Sequence, residues 1–211
     1  MLRIENLDEF TKRYQTDPEN VIREYCQHLF LSYLYQEPGS ERLLFKGGTA
    51  LRIVFRSPRF SEDLDFTGSH ITQHEVEDIF TNTLATIEKT TLSVELLEGK
   101  PTSGGYLGLA RFSAYARDTD IRIEVSLRKG KGKAGVRTVI ESDYIPAYTL
   151  VHLSTEEIIQ GKLDALLSRH KPRDFYDYFF LLSSNYPLMK ENKNLTQVLA
   201  LLEKTTINFR S

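Results

Sequence analysis

The alternation of apolar and polar positions divides the chain into a helical start, a strand-rich middle and a helical end. Residues 7–14 and 18–35 carry helical spacing. Asp17-Pro18 suits the start of the second helix, because Asp can cap free N–H groups and Pro fits the first turn. Its apolar residues Ile22, Tyr25, Cys26, Leu29 and Tyr33 recur at three- and four-residue steps and predict one buried stripe. Gln36 to Ser40 reads as a turn, Leu43-Leu44-Phe45 as a short strand, and Asp63 to Phe66 as the next strand. Between them the run Ala50, Leu51, Ile53, Val54, Phe55 predicts a helix from about Thr49. Residues 73–90 read as an amphipathic helix, and 92–98, 106–116 and 121–128 as strands. The last of these alternates strictly. Ile121, Ile123, Val125 and Leu127 take one face, and Arg122, Glu124, Ser126 and Arg128 the other. Ser154-Thr155-Glu156-Glu157 has the form of a capping box and opens a helix to about Arg169. Pro172 starts another through Leu182, and a last helix spans roughly 194–204. This order predicts an α/β or α+β chain with a mixed sheet. Its expected parts are residues 1–150, which carry the sheet, and a C-terminal helical region, 151–211.

Composition changes this picture little. A chain of 211 residues can bury one sizeable core, or a domain plus a helical appendage. Hydrophobic content of 40% and charged content of 27% are ordinary for a globular protein. A net charge of −2 excludes a global pull toward nucleic acid. The single Cys26 cannot form an internal disulfide, which fits a reducing compartment. No apolar run approaches membrane-spanning length, and the first residues lack the apolar core of a signal peptide. The expectation is a cytoplasmic protein with no membrane partner. His152 and His170 stand apart from other ligand types, and nothing points to zinc.

Two segments carry the chemistry. The first is Lys46-Gly47-Gly48-Thr49-Ala50-Leu51-Arg52 followed by Ser61-Glu62-Asp63-Leu64-Asp65-Phe66. Glycines admit positive φ and a close approach of backbone to ligand. A helix opening there directs free N–H groups at whatever lies over the turn. On a strand, Asp63 and Asp65 share one face while Leu64 and Phe66 face the core. Two convergent carboxylates are unfavourable without a cation, and Mg2+ pairs one or two carboxylates with substrate phosphates. Taken singly, a Gly-Gly pair is usually a turn and an Asp-x-Asp pair usually a cap or surface feature. Their conjunction describes a site for a nucleoside triphosphate held through its metal-bound phosphates. The second segment runs from Glu157-Ile158-Ile159-Gln160-Gly161-Lys162-Leu163-Asp164-Ala165-Leu166 to Arg173-Asp174-Phe175-Tyr176-Asp177. Positions 159, 162, 163 and 166 share a helical face, so Lys162 lies at the edge of the apolar stripe with its stem able to pack. Asp174 reads either as a functional acid or as an ion-pair partner of Arg169, and Asp177 as the more structural residue.

In these two segments the chain resembles the nucleotidyltransferase family of AbiEii/AbiGii-type toxins, within the polymerase-beta-like superfamily, and is similar also to the MenT toxins. The likeness runs from about residue 20 to about residue 185. One departure is that many superfamily members carry Gly-Ser where this chain has Gly47-Gly48 or Gly48-Thr49; Thr49 keeps a hydroxyl there. The resemblance implies a polymerase-beta-like core and an NTP substrate. It implies Mg2+ or Mn2+ held by Asp63, Asp65 and a third acid, for which Glu124 is the candidate. It implies nucleotide contacts from Lys46, Gly47, Gly48, Thr49, Arg52, Ser61 and Lys162, with Asp63, Asp65, Glu124, Lys162 and Asp174 as catalytic residues gathered in one cleft. It implies transfer of a nucleoside monophosphate to an acceptor hydroxyl, such as a tRNA 3′ end, by the toxin of a type IV toxin–antitoxin or abortive-infection pair with a cognate antitoxin. Modification of a protein hydroxyl is the alternative acceptor, and a catalytically silent nucleotide-binding module the alternative class. The stretch from Arg128 to Arg137 holds five cations and no acid. Such a run is usually a solvated loop, but following the Glu124 strand it could contact RNA phosphates.

Overall fold

The computed structural model describes residues 4–90, 92–127 and 132–204. Two compact units divide the chain, Met1–Leu153 and Ser154–Ser211. The first begins with α1 (Ile4–Tyr14) and α2 (Pro18–Leu34), then β1 (Leu43–Lys46), α3 (Gly47–Ile53), β2 (Leu64–Gly68) and α4 (Gln73–Glu88). Five strands follow: β3 (Ser93–Thr102), β4 (Gly105–Ala114), β5 (Arg117–Ser126), β6 (Val136–Ile140) and β7 (Tyr148–His152). All seven strands form one sheet in the order β3-β4-β5-β2-β1-β7-β6. The sheet is mixed, as expected. β2 runs parallel to β5 and β1 parallel to β7, while the other neighbours are antiparallel.

Alternation sets which face is packed. Leu64 and Phe66 of β2 are buried, as are Ile121, Ile123 and Val125 of β5 and Ala110 and Phe112 of β4. Helices α2 and α4 cover this face, and the rings of Phe30, Phe66, Phe80 and Tyr106 meet there at edge-on or tilted angles. α4 starts at a capping box in which the Thr72 hydroxyl and the Glu75 carboxylate satisfy each other's backbone N–H groups.

Two readings of the sequence are corrected here. α2 does not bury one stripe. Leu29 and Tyr33 are half-buried, whereas polar Glu24, Gln27 and His28 are buried. The helix is packed by α1, α4, β5 and β7, so it is covered on several sides. The second correction concerns the end of the basic stretch and the residues after it. Val136 and Arg137, expected to be loop, belong to β6, and β7 occupies a segment to which no strand was assigned. β7 lies beside β1 inside the sheet, which explains why Tyr148, Leu150, Val151 and His152 are buried. Arg128, Lys129, Gly130 and Lys131, the start of the basic stretch, lie outside the described residues.

The second unit holds α5 (Thr155–Arg169), α6 (Pro172–Ser183) and α7 (Asn192–Lys204). Ser154 caps α5 by accepting from the Glu157 N–H at 3.2 Å. Its own core includes Ile158, Ile159, Leu163, Leu166, Tyr178, Leu181 and Met189. No helix among the described residues is long and apolar enough to cross a membrane.

Candidate active site

The register of three strands builds the site. Lys46 of β1 lies opposite Asp65 of β2, and Asp65 lies opposite Glu124 of β5. Directly opposed residues share a sheet face, and adjacent strands lie about 4.8 Å apart. A cation and two carboxylates therefore stand in one row on the face opposite Leu64, Phe66, Ile123 and Val125. Asp63 immediately precedes β2, one residue outside the strand expected to include it. It is half-buried, and buried Leu64 separates it from Asp65.

The Gly-Gly turn closes onto this row. Gly47 has φ +86°, and a Cβ there would overlap the Asp65 carboxylate. Both reasons demand glycine: the left-handed backbone and the contact distance. A Cβ on Gly48 would sit 2.6 Å from the Ser61 hydroxyl and 2.9 Å from the Arg59 guanidinium. The turn and the Asp-x-Asp segment are thus packed against each other without intervening side chains. Behind them, the buried Gln27 amide donates to the carbonyls of Ser61 and Glu62, both at 2.9 Å, and pins the loop that leads into Asp63.

A cavity of about 230 Å³ opens beside Asp65. Lys46, Arg122, Glu124, Ser126 and Thr102 are among its lining residues. Arg122 holds Glu124 through Nε to Oε1 at 2.6 Å, and both side chains remain about half exposed.

Several expected nucleotide contacts have other duties. Thr49 is wholly buried, and its hydroxyl donates to the Asp63 carbonyl, so it shapes the backbone before Asp65 and is not presented to a ligand. Arg52 is engaged too. Its Nε and NH2 donate to the two Glu24 oxygens at 2.6 and 3.0 Å, and NH1 donates to the carbonyls of Ser57 and Pro58. The guanidinium also lies 4.0 Å from the centre of the Phe60 ring. Glu24 additionally accepts from the Tyr144 hydroxyl at 2.8 Å. Sequence reasoning missed this cluster. The signal was present as Glu24, Gln27 and His28, polar residues at three- and four-residue spacing among apolar neighbours of α2.

In the second unit, Lys162 Nζ lies 2.8 Å from Asp177 Oδ2. The two side chains are only 12% and 1% exposed. Asp174, expected to be the functional acid, accepts from Arg169 at 2.5 Å and from the Lys171 N–H at 3.2 Å, which ties the turn between α5 and α6. Lys162 is thus paired with the acid expected to be structural, and Asp174 takes the alternative reading, an ion pair with Arg169.

Among the described residues no group of three or more carboxylate, imidazole or thiol side chains converges as a ready-made metal site. Asp63, Asp65 and Glu124 still supply hard oxygen donors, two of them on adjacent strands. Such a set fits Mg2+ or Mn2+ completing its shell with phosphate oxygens, not an all-protein cage.

The model of the family described as nucleotidyl transferase AbiEii toxin, type IV TA system, matches residues 29–206. Among solved structures, a candidate nucleotidyltransferase from H. pylori is similar at 20% identity and a TM-score of 0.60, over 89% of this chain and 78% of that one. JHP933 from Helicobacter pylori is similar at the same identity and TM-score, over 89% of this chain and 75% of that one. At this identity the likeness concerns the fold. No curated protein sequence matches the chain.

Proposed function

The chain belongs to the nucleotidyl transferase AbiEii toxin family of type IV toxin–antitoxin systems, and from that premise we propose a metal-dependent transfer of a nucleoside monophosphate from an NTP to an acceptor hydroxyl. Membership makes it a nucleotidyltransferase toxin; the metal, the residue roles and the acceptor are the proposal. The observation that carries it is the row Lys46–Asp65–Glu124 with Gly47 closed onto the Asp65 carboxylate. A nucleotide's phosphates can come as near to Asp65 as the Gly47-Gly48 backbone allows, and Lys46 and Ser61 flank that position. Asp63, Asp65 and Glu124 would hold Mg2+ or Mn2+, which when bound supplies charge neutralisation for the triphosphate. The acceptor oxygen attacks the α-phosphorus, the bond to the β-phosphate oxygen breaks, and pyrophosphate leaves. The acceptor proton passes to Glu124, whose carboxylate borders the cavity.

The acceptor is RNA, such as a tRNA 3′ end, the setting is cytoplasmic, and a cognate antitoxin is the partner. The test is incubation with each labelled NTP, Mg2+ and total cellular material, with RNA and protein counted separately. Label in either fraction that is lost in excess chelator supports transfer. NTP bound without any transfer favours the silent module.

A further inference from the structure

The Asp65 carboxylate divides the site into two sides. On the side of β1 and α3, Gly47 lies so close that a Cβ there would overlap the carboxylate, and Gly48 next to it packs against Ser61. On the side of β5 and β4, the surface opens into the 230 Å³ cavity. Phosphoryl-type transfer places the attacking and leaving oxygens roughly in line on opposite sides of the phosphorus. With the triphosphate over the glycine turn, the acceptor hydroxyl must approach from the opposite side, past Glu124. That is where the cavity lies.

Its walls suit a particular kind of acceptor. Thr102 and Ser126 bring hydroxyl groups to it, and Lys46 and Arg122 bring cations. Arg122 stands two residues from Glu124 on the same face of β5. Among the described residues its one ion pair is with Glu124, through Nε. A guanidinium has five N–H donors, and its planar fork matches phosphate oxygens. An acceptor whose reactive hydroxyl sits at Glu124 would therefore bring any neighbouring phosphate within reach of Arg122. A serine or tyrosine hydroxyl of a protein carries no such phosphate.

We propose that the cavity between Asp65, Arg122 and Thr102 is the acceptor subsite, and that Arg122 is a specificity-determining residue binding the phosphate next to the acceptor hydroxyl of a nucleic-acid strand. This rests on the nucleotidyl-transfer reading given above. It assigns the choice of RNA over protein to a side chain in the described structure. The basic stretch that begins at Arg128 is not required for that choice.

The experiment is steady-state transfer by the full chain from labelled NTP to total cellular RNA, with Mg2+ titrated separately. Wild type is compared with Arg122→Ala and Arg122→Gln; both keep the exposed position uncharged, and a circular-dichroism melt confirms folding. The acceptor KM should rise about tenfold or more, the loss of one bidentate charged contact. The salt dependence of acceptor binding should flatten by about 0.7 for a single-strand contact. The NTP KM and the Mg2+ giving half-maximal rate should stay within about twofold. If the Mg2+ requirement rises while the acceptor KM is unchanged, Arg122 only positions Glu124 and the proposal is overturned. It is also overturned if wild type labels protein and not RNA, an outcome that leaves nucleotidyl transfer itself standing. Absence of transfer to any acceptor by folded wild type would instead remove the reading on which the inference rests.

Discussion

Two sets of acidic residues live under opposite conditions in this molecule. Glu24, Asp174 and Asp177 are almost wholly buried, and each is tied to a basic side chain: Arg52, Arg169 and Lys162. Asp65 and Glu124 are only half-buried, stand opposite each other on adjacent strands and border a cavity. A buried carboxylate survives only with its charge compensated, so it becomes part of the fold. Two facing carboxylates at a half-open surface repel each other, so their placement makes sense for a cation and a substrate. The comparison separates acids that would stop the chemistry when changed from acids that would unfold the protein.

The sharpest test is Asp65→Asn, which keeps the shape and removes the charge. Transfer should fall by about a thousandfold or more, several kcal/mol of charge stabilisation, with the melting temperature unchanged or raised by relief of repulsion. Turnover close to wild type would break the division at its centre. Glu24→Ala should do the converse. It strands the largely buried Arg52 guanidinium and the Tyr144 hydroxyl, at a cost of about 3–5 kcal/mol, read as an earlier denaturant midpoint. A Glu24→Ala protein as stable as wild type yet inactive would move Glu24 into the chemical set.

His28 sharpens the comparison through pH. Burial first, with Arg52 adding and Glu24 opposing, lowers it from 6.5 to about 4. The unfolded chain therefore binds a proton between these values that the folded chain refuses. Stability should be intact above pH 6.5 and fall as the pH drops toward 4, by about 2–3 kcal/mol from this residue. Denaturant melts of wild type and His28→Gln at pH 7 and pH 4.5 measure it, and the variant should have the shallower acid loss. The smallest effect is expected at Arg13, whose pairs with Glu9 and Asp143 are about half exposed. Arg13→Ala should change stability by less than about 1 kcal/mol. A larger loss would show that exposure is a poor guide to which ion pairs matter.

What the sequence made legible follows the same division. Asp65 and Glu124 announce themselves because strict alternation puts them on the polar face of a strand, and alternation survives folding unchanged. Gly47 is legible as a turn, but its contact with Asp65 is not, since the contact depends on how β1 and β2 pair. The partners of the Thr49 and Arg52 side chains are illegible for a related reason. Both residues lie inside a ligand-binding motif, and only the packing of α3 against α2 and the loop from 54 to 63 turns their donors inward. β7 was missed because Tyr148–His152 follows Pro146 in a segment that looks like a linker, and its strand character comes from β1 beside it. The capping box at Thr72 went unread, although the helix it opens was expected over 73–90.

The pairing of Asp65 with Glu124 carries a consequence for the time at which the protein becomes active. The two strands are parallel neighbours in space, but α4, β3 and β4 are made between them. During synthesis, a chain that has emerged only as far as α4 owns the glycine turn and both aspartates but lacks the third carboxylate. It also lacks the strand that covers the outer edge of β2. Pairing across so long a stretch must wait for loop closure, which makes it a late event in folding. An interrupted product ending before β5 would therefore lack the Asp65–Glu124 pairing on which the proposed transfer depends.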